Sequence, residues 1–126
     1  MPALDGMRIL DMTQYEAGTS CTQALAWFGA DVVKLERPGV GDLARSQGPF
    51  AGDDPHPEKS LFFLILNLNK LGATLRIETV GGKKLFRQLV RDADVVVAKA
   101  VRPIRIAVES DPRMPGVPST KGTLSG

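Results

Sequence analysis

The segment from Asp11 to Gly39, DMTQYEAGTSCTQALAWFGADVVKLERPG, changes hydrophobic period twice, which restricts the chain to α/β architectures. Just before and into it, Met7–Met12 (MRILDM) is a short apolar run that reads as a first strand. Cys21, Ala24, Leu25 and Phe28 then recur at helical spacing and form the expected core stripe of a helix. Thr19 or Ser20 is placed to cap that helix, and Gly29 to end it in the left-handed conformation. Asp31–Glu36 (DVVKLE) is a second strand, closed by the turn sequence RPGVGD. Strand, helix and strand in immediate succession imply a parallel pair joined by a right-handed crossover.

Further along, residues 38–59 are rich in Gly, Pro and Asp and read as a long surface loop. Ser60–Leu66 is expected to be a short buried helix. Ala73–Glu78 (ATLRIE) alternates, with Leu75 and Ile77 inward and Thr74, Arg76 and Glu78 outward, and so predicts a third strand. Thr79 opens another helix with a stripe of Leu85, Phe86, Leu89 and Val90. Gly81 and Gly82 in its first turn weaken it by roughly 1 kcal/mol each relative to alanine. Asp94–Ala98 (DVVVA) is an apolar fourth strand of the type covered on both faces. From Lys99 the periodicity ends in a Pro/Gly/Ser/Thr-rich stretch that reads as a disordered tail.

The charge balance excludes some partners. Residues 1–98 hold eleven basic and twelve acidic side chains, whereas 99–126 hold five and two, so the slight excess of base belongs to the tail. Neither nucleic acid nor an acidic membrane is implied. The longest aliphatic and aromatic run, LFFLIL at 61–66, is far short of a bilayer span. One cysteine, Cys21, rules out an internal disulfide and fits a reducing compartment, so a cytoplasmic chain is expected, with Cys21 in a packing role. One histidine and one cysteine make no metal cluster, and no metal is expected.

The loop after the first strand, at the positive end of a helix, suits an anion. Yet QYEAGTSC has only Gly18 where a dinucleotide fingerprint needs GxGxxG, and no GxxxxGK[ST] phosphate loop occurs. A small nucleotide-binding or receiver-like module is therefore a poor match. On residue type alone, Arg37 is a solvated residue closing a strand, and Glu16–Ala17 a loop running into a helix.

The run LDGMRILDMTQYEAGTSCTQALAWFGADVVKLERPGVGD resembles the N-terminus of the class III (CaiB/BaiF-type) CoA-transferases, typified by formyl-CoA transferase. The similarity resumes at LNLNK and continues through LFRQLVRDADVVV, covering about residues 4–98. It implies an α/β fold with a Rossmann-like parallel sheet fragment and flanking helices over residues 1–98, followed by a divergent tail over 99–126. It further implies coenzyme A or an acyl-CoA as substrate, a carboxylic acid as acceptor, an aspartyl–CoA intermediate and an interlocked homodimer. A carboxylate nucleophile divides one hard exchange into easier steps.

The resemblance also assigns residues. Glu16 and Ala17 fall where the family has a Gln–Ala pair beside the thioester, and the acid replaces an amide donor. Arg37 matches an arginine at the CoA nucleotide, where a guanidinium can stack on adenine or fork onto phosphate. Leu75, Arg76, Ile77 and Glu78 match the segment running along the CoA moiety, with Glu78 where the family often has lysine. After Val97 the family's V-E-N-F-R-P-G becomes VAKAVRP, and its nucleophilic aspartate lies further downstream, so no catalytic residue is assigned. A truncated or frame-shifted copy of the family's N-terminal region is the expectation. A 2-methylacyl-CoA racemase of the same superfamily and a non-catalytic remnant remain alternatives.

Overall fold

The computed structural model describes residues 1–99 and holds seven main elements. They are β1 (Arg8–Asp11), α1 (Ala17–Trp27), β2 (Asp31–Glu36), α2 (Leu61–Leu66), β3 (Leu71–Thr74), α3 (Val80–Arg91) and β4 (Val95–Val97). The strands form one wholly parallel sheet in the order β3–β2–β1–β4, flanked by the helices. No helix among the described residues is long and apolar enough to cross a membrane.

Strand alternation divides the core in two. Ile9 and Val32 face α1 and pack with Ala26, Ala30, Leu25 and Val97. Leu10 and Leu35 point to the other face, where Phe86 of α3 is buried among Val33, Leu75, Ile77, Leu89, Val90 and Val96. Successive side chains of a strand point to opposite faces, so one residue of slip would invert both cores.

Several boundaries differ from the sequence reading. The first helix begins at Ala17, two to three residues before the expected Thr19 or Ser20 cap; Glu16 is its N-cap and makes no side-chain capping bond. Tyr15, at φ 63°, turns the chain into the helix early. Of the predicted Cys21/Leu25/Phe28 stripe only Leu25 packs against the core: Cys21 is exposed and Phe28 is 60% exposed, while Thr19, Thr22, Gln23 and Ala26 are buried. The polar choice follows from what lies beneath, because the carboxyl end of the sheet on that side is charged. Gly29 does end the helix at positive φ (100°), as expected.

The third strand is Leu71–Thr74, not Ala73–Glu78. Its partner β2 ends at Glu36, and after Leu75 N–H donates to Glu36 O (2.9 Å) the ladder has no strand left to follow. Leu75 and Ile77 still turn inward, but from a turn. Leu85 of α3 is half exposed, whereas Phe86, Leu89 and Val90 carry the contact. Among the described residues β4 is an edge strand paired with β1; Val96 and Val97 pack into the two opposite cores, so both faces are in contact, although Val95 is 38% exposed. Ser60 caps α2 as a short helix, accepting from Phe63 N–H, although only Phe63 within it is buried. The 38–59 loop carries two short 3-10 turns, Leu43–Ser46 and Ala51–Asp53. Except for Lys99, the tail expected over 99–126 lies outside the described residues.

Candidate functional site: two clefts at the carboxyl edge of the sheet

In an open parallel sheet, ligands bind outside the carboxyl ends of the strands, above all where connections diverge to opposite sides. Here β1 is that point, with β2 on one side and β4 on the other. A cleft of about 760 Å³ opens there, lined by Thr13, Gln14, Tyr15, Glu16, Ala17 and Gly18 and closed from the β4 side by Val97, Ala98 and Lys99. A smaller cleft of about 190 Å³ lies over β1, β2 and the turn after β3. Leu35, Glu36, Arg37, Leu75, Ile77 and Glu78 line it, with Met12 and Gln14.

The seven residues singled out from the sequence thus divide. Glu16 and Ala17 border the larger cleft, where the first turn of α1 leaves N–H groups without intrahelical acceptors. Arg37, Leu75, Ile77 and Glu78 meet at the smaller one, and Gln14 borders both. Arg76 is exposed and lines neither of the two. Arg37 Nε lies 3.4 Å from Glu78 Oε1. Gly18 is not a phosphate-cradling glycine: a Cβ there would lie 2.7 Å from Thr13 Cβ, so its bareness lets the loop pack against the helix start.

Beneath the loops lies a buried charge network that the sequence reading missed. Asp11 and Lys34 are register partners on β1 and β2, on the same face as Ile9 and Val32. Asp11 Oδ1 accepts from Thr13 N (2.9 Å) and Thr13 Oγ1 (2.5 Å). Its Oδ2 accepts from Thr22 Oγ1 (2.6 Å) and Lys70 Nζ (3.0 Å). Lys70 is also within reach of Thr19 O, Thr22 Oγ1 and Asn67 Oδ1. Lys34 Nζ donates to Thr13 O (2.8 Å) and sits 2.8 Å from Asp42 Oδ2. Asp42 Oδ1 accepts from Tyr15 N (3.1 Å) and Ala44 N (2.9 Å). Two carboxylates and two ammonium groups therefore balance, and between them they hold the backbone of Thr13 and Tyr15, the floor of the larger cleft. The legible signal was parity: a charge at an inward strand position needs a partner of opposite sign.

A second cluster fastens the neighbouring loop. Glu36 accepts from Arg45 twice (2.7 and 2.8 Å) and from Asp42 N (2.7 Å), and Arg45 lies 3.7 Å over the Phe63 ring. Burial alone would raise the pKa values of Asp11 and Glu36. For Asp11, the Lys34 charge and the Thr13 and Thr22 bonds outweigh it; for Glu36, the Arg45 and Asp42 bonds do, so both fall below their ordinary values. Burial lowers Lys70, with Asp11 opposing it. A carboxylate depressed in the folded state contributes stability above its unfolded pKa and loses it as pH falls through the folded value. The midpoint of urea unfolding is therefore expected to hold from pH 7 to about 5 and to fall below about pH 4.5, where unfolded carboxylates begin to protonate. Equal midpoints at pH 7 and pH 3 would exclude the network as a source of stability. Among the described residues no group of three or more His, Cys, Asp or Glu side chains is arranged to hold a metal ion.

Sheet order and cleft position together define a parallel α/β domain of the Rossmann-like type with its ligand edge at the strand carboxyl ends. Residues 4–107 match the sequence model of CoA-transferase family III, and the chain belongs to that family. It is 50% identical over 95 residues to the formyl-CoA:oxalate CoA-transferase of Rhodopseudomonas palustris (strain BisA53), covering 75% of this chain and 21% of that protein. The chain thus spans about a fifth of the length of that relative. Among solved structures, a CaiB/BaiF family protein from Brucella suis superposes with TM-score 0.66 at 38% identity, over 75% of this chain and 25% of that one. A hypothetical protein from Mycobacterium tuberculosis gives 0.72 at 32% identity, over 90% and 30%.

Proposed function

We propose that the two clefts form one binding surface for an acyl-CoA, in a CoA-transferase that passes CoA to a carboxylic acid. The thioester end lies along Glu16 and Ala17, and the nucleotide end at Arg37 and the Leu75–Glu78 turn. The observation that carries this reading is the meeting of these residues, far apart in sequence, in adjoining clefts that share Gln14. Family membership and the named activity of the Rhodopseudomonas relative support it. The residues suit the ligand: Arg37 offers a guanidinium for phosphate or adenine, and Leu35, Leu75 and Ile77 offer apolar surface.

Transfer through an aspartyl–CoA thioester is the chemistry we infer. No aspartate among the described residues borders either cleft, so none of them is assigned as the nucleophile. The exposed Leu61, Leu64, Ile65, Leu68 and Leu71 support a partner, a second subunit or further family chain, covering α2 and the β3 edge.

Titrating CoA into the chain in a calorimeter tests the binding reading, with NAD as the comparison ligand and a thermal melt to establish folding. Saturable heat with CoA and none with NAD is expected. A cooperative melt without CoA heat overturns the reading.

A further inference from the structure

We propose that Glu78 is a specificity-determining residue of the smaller cleft, acting as an intramolecular rival for the anion that Arg37 would receive. The proposal rests on the acyl-CoA reading and adds how the same site discriminates.

The charges facing the cleft come from three elements. Glu36, at the end of β2, is engaged by both Arg45 contacts and by Asp42 N–H, so it makes no claim on Arg37. Arg37 follows it as the one cationic side chain lining this cleft. Glu78, on the turn between β3 and α3, is the remaining carboxylate, and its Oε1 lies 3.4 Å from Arg37 Nε. The other lining residues, Met12, Gln14, Leu35, Leu75 and Ile77, are uncharged.

The pair is weak enough to exchange. Arg37 and Glu78 side chains are 60% and 45% exposed, so water screens the attraction. An incoming phosphate has to displace the Glu78 carboxylate from the guanidinium and then remain close to it. Both steps disfavour the ligand: the displacement costs the same for any anion, and the repulsion from Glu78 grows with the charge the anion carries. Glu78 thereby lowers affinity, and lowers it most for the most highly charged ligand end.

The test is CoA titration of the 126-residue chain and of Glu78→Gln, at about 0.02 M and again at about 1 M salt, where screening shortens to roughly 3 Å. Glu78→Gln is expected to bind CoA about two- to fivefold more tightly at low salt, with the gain lost at high salt. The gain should vanish in an Arg37→Gln background. Asp5→Asn, which changes net charge equally at an exposed position outside both clefts, should show little of it. Unchanged affinity in Glu78→Gln, or an equal gain in Asp5→Asn or in the Arg37→Gln background, overturns the proposal while leaving CoA binding intact. A folded parent chain that gives no CoA heat instead overturns the acyl-CoA reading, and this inference with it.

Discussion

Replacing Asp11 with alanine is expected to remove about 3–5 kcal/mol of stability, the usual result of deleting one partner from a buried ion pair. Asp11 is fully buried, and its carboxylate accepts from Thr13, Thr22 and Lys70. Without it, two buried ammonium groups face one remaining carboxylate, Asp42. Against a total of about 5–15 kcal/mol for an ordinary domain, that loss leaves a large unfolded fraction. Tm should fall by upwards of roughly 12 °C where a melt remains visible.

The cause can be separated from loss of packing. Adding Lys70→Met to Asp11→Ala removes one charge of each sign and leaves Lys34 paired with Asp42. The double variant is then expected to be more stable than Asp11→Ala alone by about 1 kcal/mol or more, because an unpaired buried charge costs more than an apolar replacement. Chemical denaturation of the four chains in a cycle reads this directly. If Lys70→Met instead adds its full cost to that of Asp11→Ala, the two residues are not coupled and the balance argument fails.

The same network shows where the sequence was legible and where it was not. Helix α3 was readable because Phe86, Leu89 and Val90 recur at helical spacing and Thr79 opens it; the Thr79 side chain caps it by accepting from Gly82 N. Helix α1 misled because its visible apolar stripe, Cys21 and Phe28, faces away from the sheet. The buried side is polar Thr19, Thr22 and Gln23, and Thr22 and the Thr19 carbonyl meet Lys70, with Thr22 also on Asp11. Period finds a core only when the core is apolar. Lys70, in the turn before β3, reaches Asp11 across fifty-nine positions, and no local pattern carries such a contact. The bordering residues of the clefts were named from family resemblance, not from period. Their division between two adjoining clefts, and the Arg37–Glu78 pair, appear only once β2 and the turn after β3 lie side by side.

Gly81 and Gly82 look equivalent in sequence, as two weakening residues in the first turn of α3, yet they are expected to respond to alanine with opposite signs. A Cβ at Gly81 meets nothing within 4 Å. Gly81→Ala should therefore stabilise the chain by about 0.5–1 kcal/mol through helix propensity alone. A Cβ at Gly82 would overlap the Arg76 carbonyl oxygen, lie 2.6 Å from the Arg76 carbonyl carbon and 2.9 Å from Thr79 Oγ1. The obstacle is backbone, so relief requires α3 or the turn to move, at about 1–3 kcal/mol. That turn carries Leu75, Ile77 and Glu78 into the smaller cleft, and the helix cannot retreat without unseating Phe86. Gly82→Ala is accordingly expected to weaken CoA binding as well as lower Tm, while Gly81→Ala raises Tm and leaves binding unchanged. Melts and titrations on the two variants suffice. Equal shifts of Tm in the same direction would mean that the close approach of α3 to the Arg76 carbonyl does not govern this corner of the fold.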